Sequence, residues 1–188
     1  NKYNIEIEET KASNENIKKR NDKESLFIIN KYATDFFSKT LSKSKKINEY
    51  FTGRGLSETT IQNFSLGYSN NLKNEFYNSA INNGFSDNYI IETGLVIDSE
   101  NNKIDRFRGR IIFPIRSISG RVLGFGGRTL DSNKKIAKYI NSPESKIYNK
   151  SKILFGIYES KQFIVKDDLC ILVEGYMDVI QLHQNGIK

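Results

Sequence analysis

The stretch RGRIIFPIRSISGRVLGFGGR, residues 108–128, decides the fold of this 188-residue chain. Two runs rich in β-branched and aromatic residues flank SISG, a turn signal, and that order predicts a β-hairpin. Within RIIFPIR the strand period of two sets Arg110, Ile112, Pro114 and Arg116 on one face and Ile111, Phe113 and Ile115 on the other, which predicts that the second face is the buried one. Pro114 cannot donate to a ladder, so the strand is expected at a sheet edge or with a bulge. GFGG at 124–127 does not open a helix after a strand, as a dinucleotide-binding loop requires, and its glycines instead predict a bulge or the close approach of another backbone.

Working outward, LVIDS followed by the turn signal ENNK predicts a hairpin before this one. Further upstream the period becomes helical. Leu26, Ile29, Ala33, Phe36, Phe37 and Leu41 mark one amphipathic helix, and Ile47, Tyr50 and Phe51 a second that stops at Gly53. Ser57 is placed to cap a third, and Leu72, Phe76, Ala80 and Ile81 mark a fourth that ends at Asn83-Gly84. SDNYIIETG repeats that pattern on a smaller scale, and FSLGYS reads as a short strand. Residues 1–23 are polar and charge-mixed, which predicts a linker or flexible arm. Downstream, SKILFGIYESKQF predicts a helix with Ile153, Leu154, Ile157 and Tyr158 on one face. LCILV then predicts a strand, and YMDVIQLHQNG a helix closed by Gly186, the order of an α/β unit. The expected class is α+β or mixed α/β: helices packed on a small mixed or antiparallel sheet, followed by the beginning of an α/β domain.

The chain carries 37% hydrophobic residues, enough for one sizeable core, and no run approaches the length of a membrane span. The polar opening lacks the apolar middle of a signal peptide, so the expected location is cytoplasmic with no membrane partner. Cys170, the single cysteine, lies inside LCILV as a small buried hydrophobe, and His183, the single histidine, has no second ligand at metal spacing.

Charge is uneven. Residues 103–152 hold thirteen Lys and Arg against three Asp and Glu, a local net of +10 in a chain whose total is +7. Phe107, Phe113, Phe125, Tyr139 and Tyr148 interrupt this basic stretch, a pattern that suits a phosphate-tracking surface with rings for bases. A solvated face over ordinary core aromatics has the same composition. Near the end, Glu174 follows the LCILV run and precedes a glycine and a helix, with Asp178 four residues on. A carboxylate there suits a divalent ion held against a phosphate, and equally an acidic residue favoured by a helix N-terminus.

RFRGRIIFPI, GRVLGFGGR, KYINSPES, YNKSKILFG and LVEGYMDVI occur in the order and approximate spacing of the bacterial DnaG-type DNA primase family, and the chain resembles the RNA polymerase core of that family from about Phe51 onward. EGYMDV is similar to the opening of the TOPRIM metal-binding fold. The resemblance implies synthesis of short RNA primers on a single-stranded DNA template from ribonucleoside triphosphates. It places Arg54, Arg108, Arg110, Arg128, Tyr139 and Asn141 among template and nucleotide contacts, Lys138, Lys150, Glu174 and Asp178 among catalytic residues, the lysines neutralising the triphosphate, and Glu174 at the first carboxylate of a Mg²⁺ or Mn²⁺ site with Asp178 beside it. It further implies that residues 24–165 form the N-terminal subdomain of the core and residues 166–188 a truncated start of the TOPRIM domain. The family's other metal carboxylates, its zinc-binding domain and the regions that meet the replicative helicase and single-strand-binding protein have no counterpart in this sequence. The chain is therefore expected to be a piece without activity of its own. A single-stranded nucleic-acid-binding module and another TOPRIM enzyme, such as a phage primase-helicase or a nuclease, are the alternatives.

Overall fold

The computed structural model describes residues 14–100, 102–133 and 135–188. Helix α1, Asn14–Ser42, runs 29 residues. Residues 14–23, expected as part of an arm, are thus the first turns of this helix, and residues 1–13 lie outside the described residues. The start of α1 is held from elsewhere: the Tyr89 hydroxyl donates to Asp22 at 2.7 Å, Lys146 pairs with Asp22 at 3.3 Å, and Arg121 pairs with Glu24 at 2.7 Å. Polar composition alone could not reveal these distant partners.

Helices α2 (Lys45–Gly53), α3 (Glu58–Asn63), α4 (Glu75–Asn82) and α5 (Asp87–Glu92) follow, with strand β1 (Gly67–Ser69) between α3 and α4. Ser57 caps α3 as its position predicts, Oγ accepting from Thr60 N–H at 3.1 Å. Helix α4 starts only at Glu75, so Leu72 falls outside it and is exposed. Its N-terminus is capped by Asp105, which accepts from the N–H groups of Phe76 and Tyr77.

The strands are β2 (Val96–Ser99), β3 (Asn102–Asp105), β4 (Arg110–Arg116), β5 (Val122–Thr129) and β6 (Tyr139–Asn141). β2 and β3 form a separate two-stranded hairpin, so the run LVIDS pairs with NKID rather than with RIIFPIR. The main sheet has the order β1-β4-β5-β6, antiparallel throughout. β4 is therefore an inner strand, not an edge. Pro114 is accommodated because β1 reaches only to Ile112, and the register slips next to it, between Ile115 and Arg116.

Both faces of the sheet are covered, which corrects the expectation of one buried face. Ile112 and Phe125 pack under α1, α4 and α5 with Ile29, Phe37 and Phe76. Ile111 and Phe113 pack on the other side with Phe51, Phe64 and Ile180. Phe107, Phe113, Phe125 and Tyr148 are all core residues, at most 3% exposed, so of the five aromatics in the basic stretch only Tyr139 reaches solvent, at 40%.

The chain ends in α6 (Ile157–Asp167) and α7 (Tyr176–Gln184). Ile153 and Leu154 precede α6 instead of forming its first turn, and Leu154 is exposed. LCILV joins no ladder, and Leu169, Cys170, Ile171 and Leu172 are exposed; a strand needs a neighbour, and none lies beside this run among the described residues. No helix among the described residues is long and apolar enough to cross a membrane.

Candidate nucleic-acid interface

The end of the main sheet gathers one group of basic and aromatic side chains. Arg128 near the end of β5 is paired directly across the ladder with Tyr139 of β6, and its Cζ lies 5.6 Å from the Tyr139 ring centroid. From α2, Tyr50 brings a second ring, 5.4 Å from Arg128 Cζ and 5.6 Å from Arg54 Cζ. Tyr176, the first residue of α7, meets Tyr139 edge-on at 6.1 Å and donates from its hydroxyl to Asn141 Oδ1 at 2.6 Å. Burial pushes the Tyr176 phenol up to about 12, so it keeps its proton and remains a donor at neutral pH.

The glycines of β5 make this packing possible. A Cβ on Gly126 would lie 2.3 Å from Tyr176 Cε2, and one on Gly127 would lie 2.5 Å from Phe107 Cδ1. They admit aromatic rings rather than another backbone, which refines the expectation drawn from GFGG. Helix α7 is tied to the turn that carries Arg54: Gln181 Nε2 donates to Arg54 O and Gln184 Nε2 to Gly55 O, each at 2.7 Å, while Ser57 N–H donates to Gln184 Oε1 at 2.8 Å. Gly55 turns the chain there at φ +72°, a conformation open to glycine.

Sequence-predicted residues divide sharply. Arg54, Arg128, Tyr139 and Asn141 come together. Arg110 does not join them: it is 7% exposed, and Nη1 donates to the carbonyls of Ala137 at 2.9 Å, Lys138 at 3.3 Å and Gly127 at 3.4 Å. Its guanidinium fastens the segment before β6 to the sheet. Arg108 lies exposed in the turn before β4. Lys138 and Lys150 are exposed, and their side-chain amines make no hydrogen bond or ion pair among the described residues. Arg128 is the unusual case. Although only 9% exposed, its guanidinium has no hydrogen bond or ion pair among the described residues, and Nε is buried without a partner. Arg116, by contrast, meets Glu159 at 2.9 Å and Arg110 has its carbonyls.

Tyr50 is the residue that sequence reasoning missed, because its spacing with Ile47 and Phe51 marks it simply as helix. Its position four residues before Arg54 was the available signal.

Glu174 and Asp178 are both exposed and flank Gly175, the N-cap of α7. Asp178 folds back over it, Oδ2 lying 2.8 Å from where a Gly175 Cβ would stand. These are hard oxygen donors of the class that holds Mg²⁺ or Mn²⁺, but two carboxylates fill only part of a coordination shell, and no group of three His, Cys, Asp or Glu suited to a metal ion occurs among the described residues. His183 stands apart, edge-on to Phe64 at 5.1 Å, with burial holding its pKa below the usual value.

Comparison with known proteins gives a consistent answer. Residues 36–161 match the family model of the DNA primase catalytic core, N-terminal domain. The DNA primase of Clostridium acetobutylicum is 39% identical over 194 residues, a match that takes in 100% of this chain and 31% of that protein. The chain thus spans about a third of the length of that curated relative. Among solved structures, the RNA polymerase domain of Mycobacterium tuberculosis primase DnaG, in complex with a double-stranded DNA oligomer with a 6-nucleotide overhang, superposes with a TM-score of 0.83 at 30% identity, over 87% of this chain and 52% of that one. A DnaG primase catalytic domain bound to single-stranded DNA gives a TM-score of 0.82 at 33% identity, over 89% and 53%.

Proposed function

Since the chain belongs to the family of DNA primase catalytic cores, we propose that it is the part of a primase that holds the single-stranded DNA template and the incoming ribonucleotides during synthesis of an RNA primer. The observation that carries this is Arg128, a nearly buried cation without a counter-charge among the described residues, set beside Arg54, Tyr50 and Tyr139 at the end of the sheet. A buried charge is costly unless something neutralises it, and a phosphate backbone supplies that anion. The complexes of related catalytic domains with DNA support the assignment.

In this reading Arg54, Arg108 and Arg128 meet phosphates, Tyr139 offers its exposed ring to a base, and Asn141 holds Tyr176, and through it α7, against β6. Arg110 takes the different role of fixing the strand that carries Tyr139. Lys138 and Lys150, both exposed and uncommitted, are free to neutralise the triphosphate. Glu174 and Asp178 supply part of a carboxylate set for Mg²⁺ or Mn²⁺, which when bound polarises the phosphate and lowers the pKa of the attacking hydroxyl. Residues 24–165 are assigned to the N-terminal subdomain of the core and residues 166–188 to the first part of the TOPRIM domain. The replicative helicase and single-strand-binding protein are assigned to other parts of the whole primase. The cytoplasm is the assigned location.

Fluorescence anisotropy with a labelled single-stranded oligodeoxynucleotide tests the assignment. Binding should weaken steeply with salt, and Arg128→Ala should reduce the slope of log K against log salt by about one. A salt-independent affinity, or an unchanged slope in Arg128→Ala, would remove the basis for it.

A further inference from the structure

We propose that Tyr50 is the positioning residue that places both Arg54 and Arg128, through the face of its ring. The inference rests on the assignment of those two arginines to a phosphate backbone.

Proteins usually fix a buried or half-buried arginine with acceptors, as this chain does elsewhere: Arg110 has three carbonyls, Arg116 has Glu159, and Arg106 Nε donates to Gly94 O at 2.6 Å. Arg128 has no such acceptor, and the guanidinium of Arg54 no hydrogen bond or ion pair, among the described residues. The side-chain contact they share is the Tyr50 ring, at 5.4 Å from Arg128 Cζ and 5.6 Å from Arg54 Cζ. Tyr139 also meets Arg128, but it is 40% exposed and confines it less.

The choice of a ring has a chemical consequence. A carboxylate would fix an arginine by occupying two of its donors and cancelling its charge. The negative face of an aromatic ring attracts the cation while leaving its N–H groups and its charge for a ligand. Two like charges can share that ring because neither is neutralised by it, and an arriving phosphate then meets a prearranged pair. The Tyr50 hydroxyl is itself buried without a hydrogen-bond partner among the described residues. The phenol oxygen therefore fixes nothing, and the ring is the part that positions.

Tyr50→Leu keeps an apolar side chain and removes the ring, whereas Tyr50→Phe keeps the ring. Measured by anisotropy with a labelled single-stranded oligodeoxynucleotide, Tyr50→Leu should weaken binding about fivefold to tenfold and Tyr50→Phe by less than about twofold. In an Arg54→Ala/Arg128→Ala background the Tyr50→Leu effect should shrink to less than about twofold. A fivefold loss that persists in that background overturns the proposal, since Tyr50 would then act on its own. A readout without DNA comes from NMR of the unmutated chain, where the side chains of Arg54 and Arg128 should both show NOEs to the Tyr50 ring. Their absence overturns the proposal whether or not Tyr50→Leu folds. If the NOEs are present but Arg54→Ala and Arg128→Ala both bind DNA as the unmutated chain does, the placement stands and the phosphate assignment fails.

Discussion

Asp105 caps a helix to which it does not belong: its carboxylate accepts the Phe76 N–H at 2.7 Å and the neighbouring Tyr77 N–H at 3.1 Å, closing the start of α4 from β3. The side chain of Asn74, the residue before the helix, makes no capping bond. Burial raises the Asp105 carboxyl from 3.8 to about 6, against the pull of its two N–H donors, with Glu75 adding to the rise and Arg108 opposing it.

A pH dependence follows from that rise. The folded chain retains a proton on Asp105 over a range in which the unfolded chain has released it. The resulting stabilisation is complete below about pH 4 and is lost as pH climbs through about 6, with a size on the order of 2 kcal/mol. Asp22 acts in the opposite sense, because its hydrogen bond from Tyr89 and then Lys146 hold its carboxyl low. The difference between the unmutated chain and Asp105→Asn isolates the first effect. Urea denaturation at pH 4.5, 5.5 and 6.5 should show that difference moving steadily in favour of Asp105→Asn as pH rises. A constant difference would refute the assignment.

Gly126 tests how the aromatic packing is built. Alanine there would place its Cβ 2.3 Å from the Tyr176 ring, and overpacking of this kind costs about 1–3 kcal/mol. Gly126→Ala should lower Tm by about 2–4 °C per kcal/mol, and the Tyr176 ring signals should shift in NMR spectra. An unchanged Tm and unchanged ring signals would show that Tyr176 is not held where the structure has it.

Arg110 and Arg128, 18 positions apart on adjacent strands, should separate by function. Arg110→Ala removes a donor from the carbonyls of Ala137, Lys138 and Gly127; Lys138 O keeps the Thr129 N–H at 3.0 Å, and the cost is about 1–3 kcal/mol for each of the others that stays buried and unpaired. Thermal unfolding should show a clear loss for Arg110→Ala and a smaller one for Arg128→Ala, while DNA affinity falls in Arg128→Ala. The reverse ranking in Tm would mean that Arg128 carries a structural bond absent from this arrangement.

Primer synthesis supplies the last test. With template, ribonucleoside triphosphates and Mg²⁺ or Mn²⁺, this 188-residue chain should make no primer, because Glu174 and Asp178 are too few donors to hold and orient the ions. A primer product detected on a gel would show that these two carboxylates suffice.

Much of this was legible in the sequence. Helical spacing located α2, α4 and α7, and a single turn signal located the β4–β5 hairpin, because amphipathic helices and tight turns are local. The two-faced burial of β4 was not legible. Arg110 and Arg116 mimic a polar face, yet one binds carbonyls and the other Glu159 inside the protein. β6 was invisible for the opposite reason, since three residues have no period and YIN is a strand only because β5 lies beside it. Of the interface, Arg128 and Tyr139 could be named from motif and charge, whereas their contact depends on a register that no spacing encodes. LCILV had the composition of a strand without a neighbour to make it one.

The bonds from Gln181 and Gln184 to the Arg54 turn also bear on the order of events at the ribosome. Ser57 and Gln184 are 127 residues apart, so the basic turn leaves the exit tunnel long before the helix that fixes it. The β4–β5 hairpin, whose innermost pair before the register slip is Ile115 with Gly124, closes over a short loop and has no such wait. The sheet should therefore exist first as a platform, with the end that carries Arg54 and Arg128 assembled late. Pulse-labelled hydrogen exchange during refolding should find the Ile112 amide protected before that of Ser57, and a newborn chain would place its Arg54 turn only after its core had set.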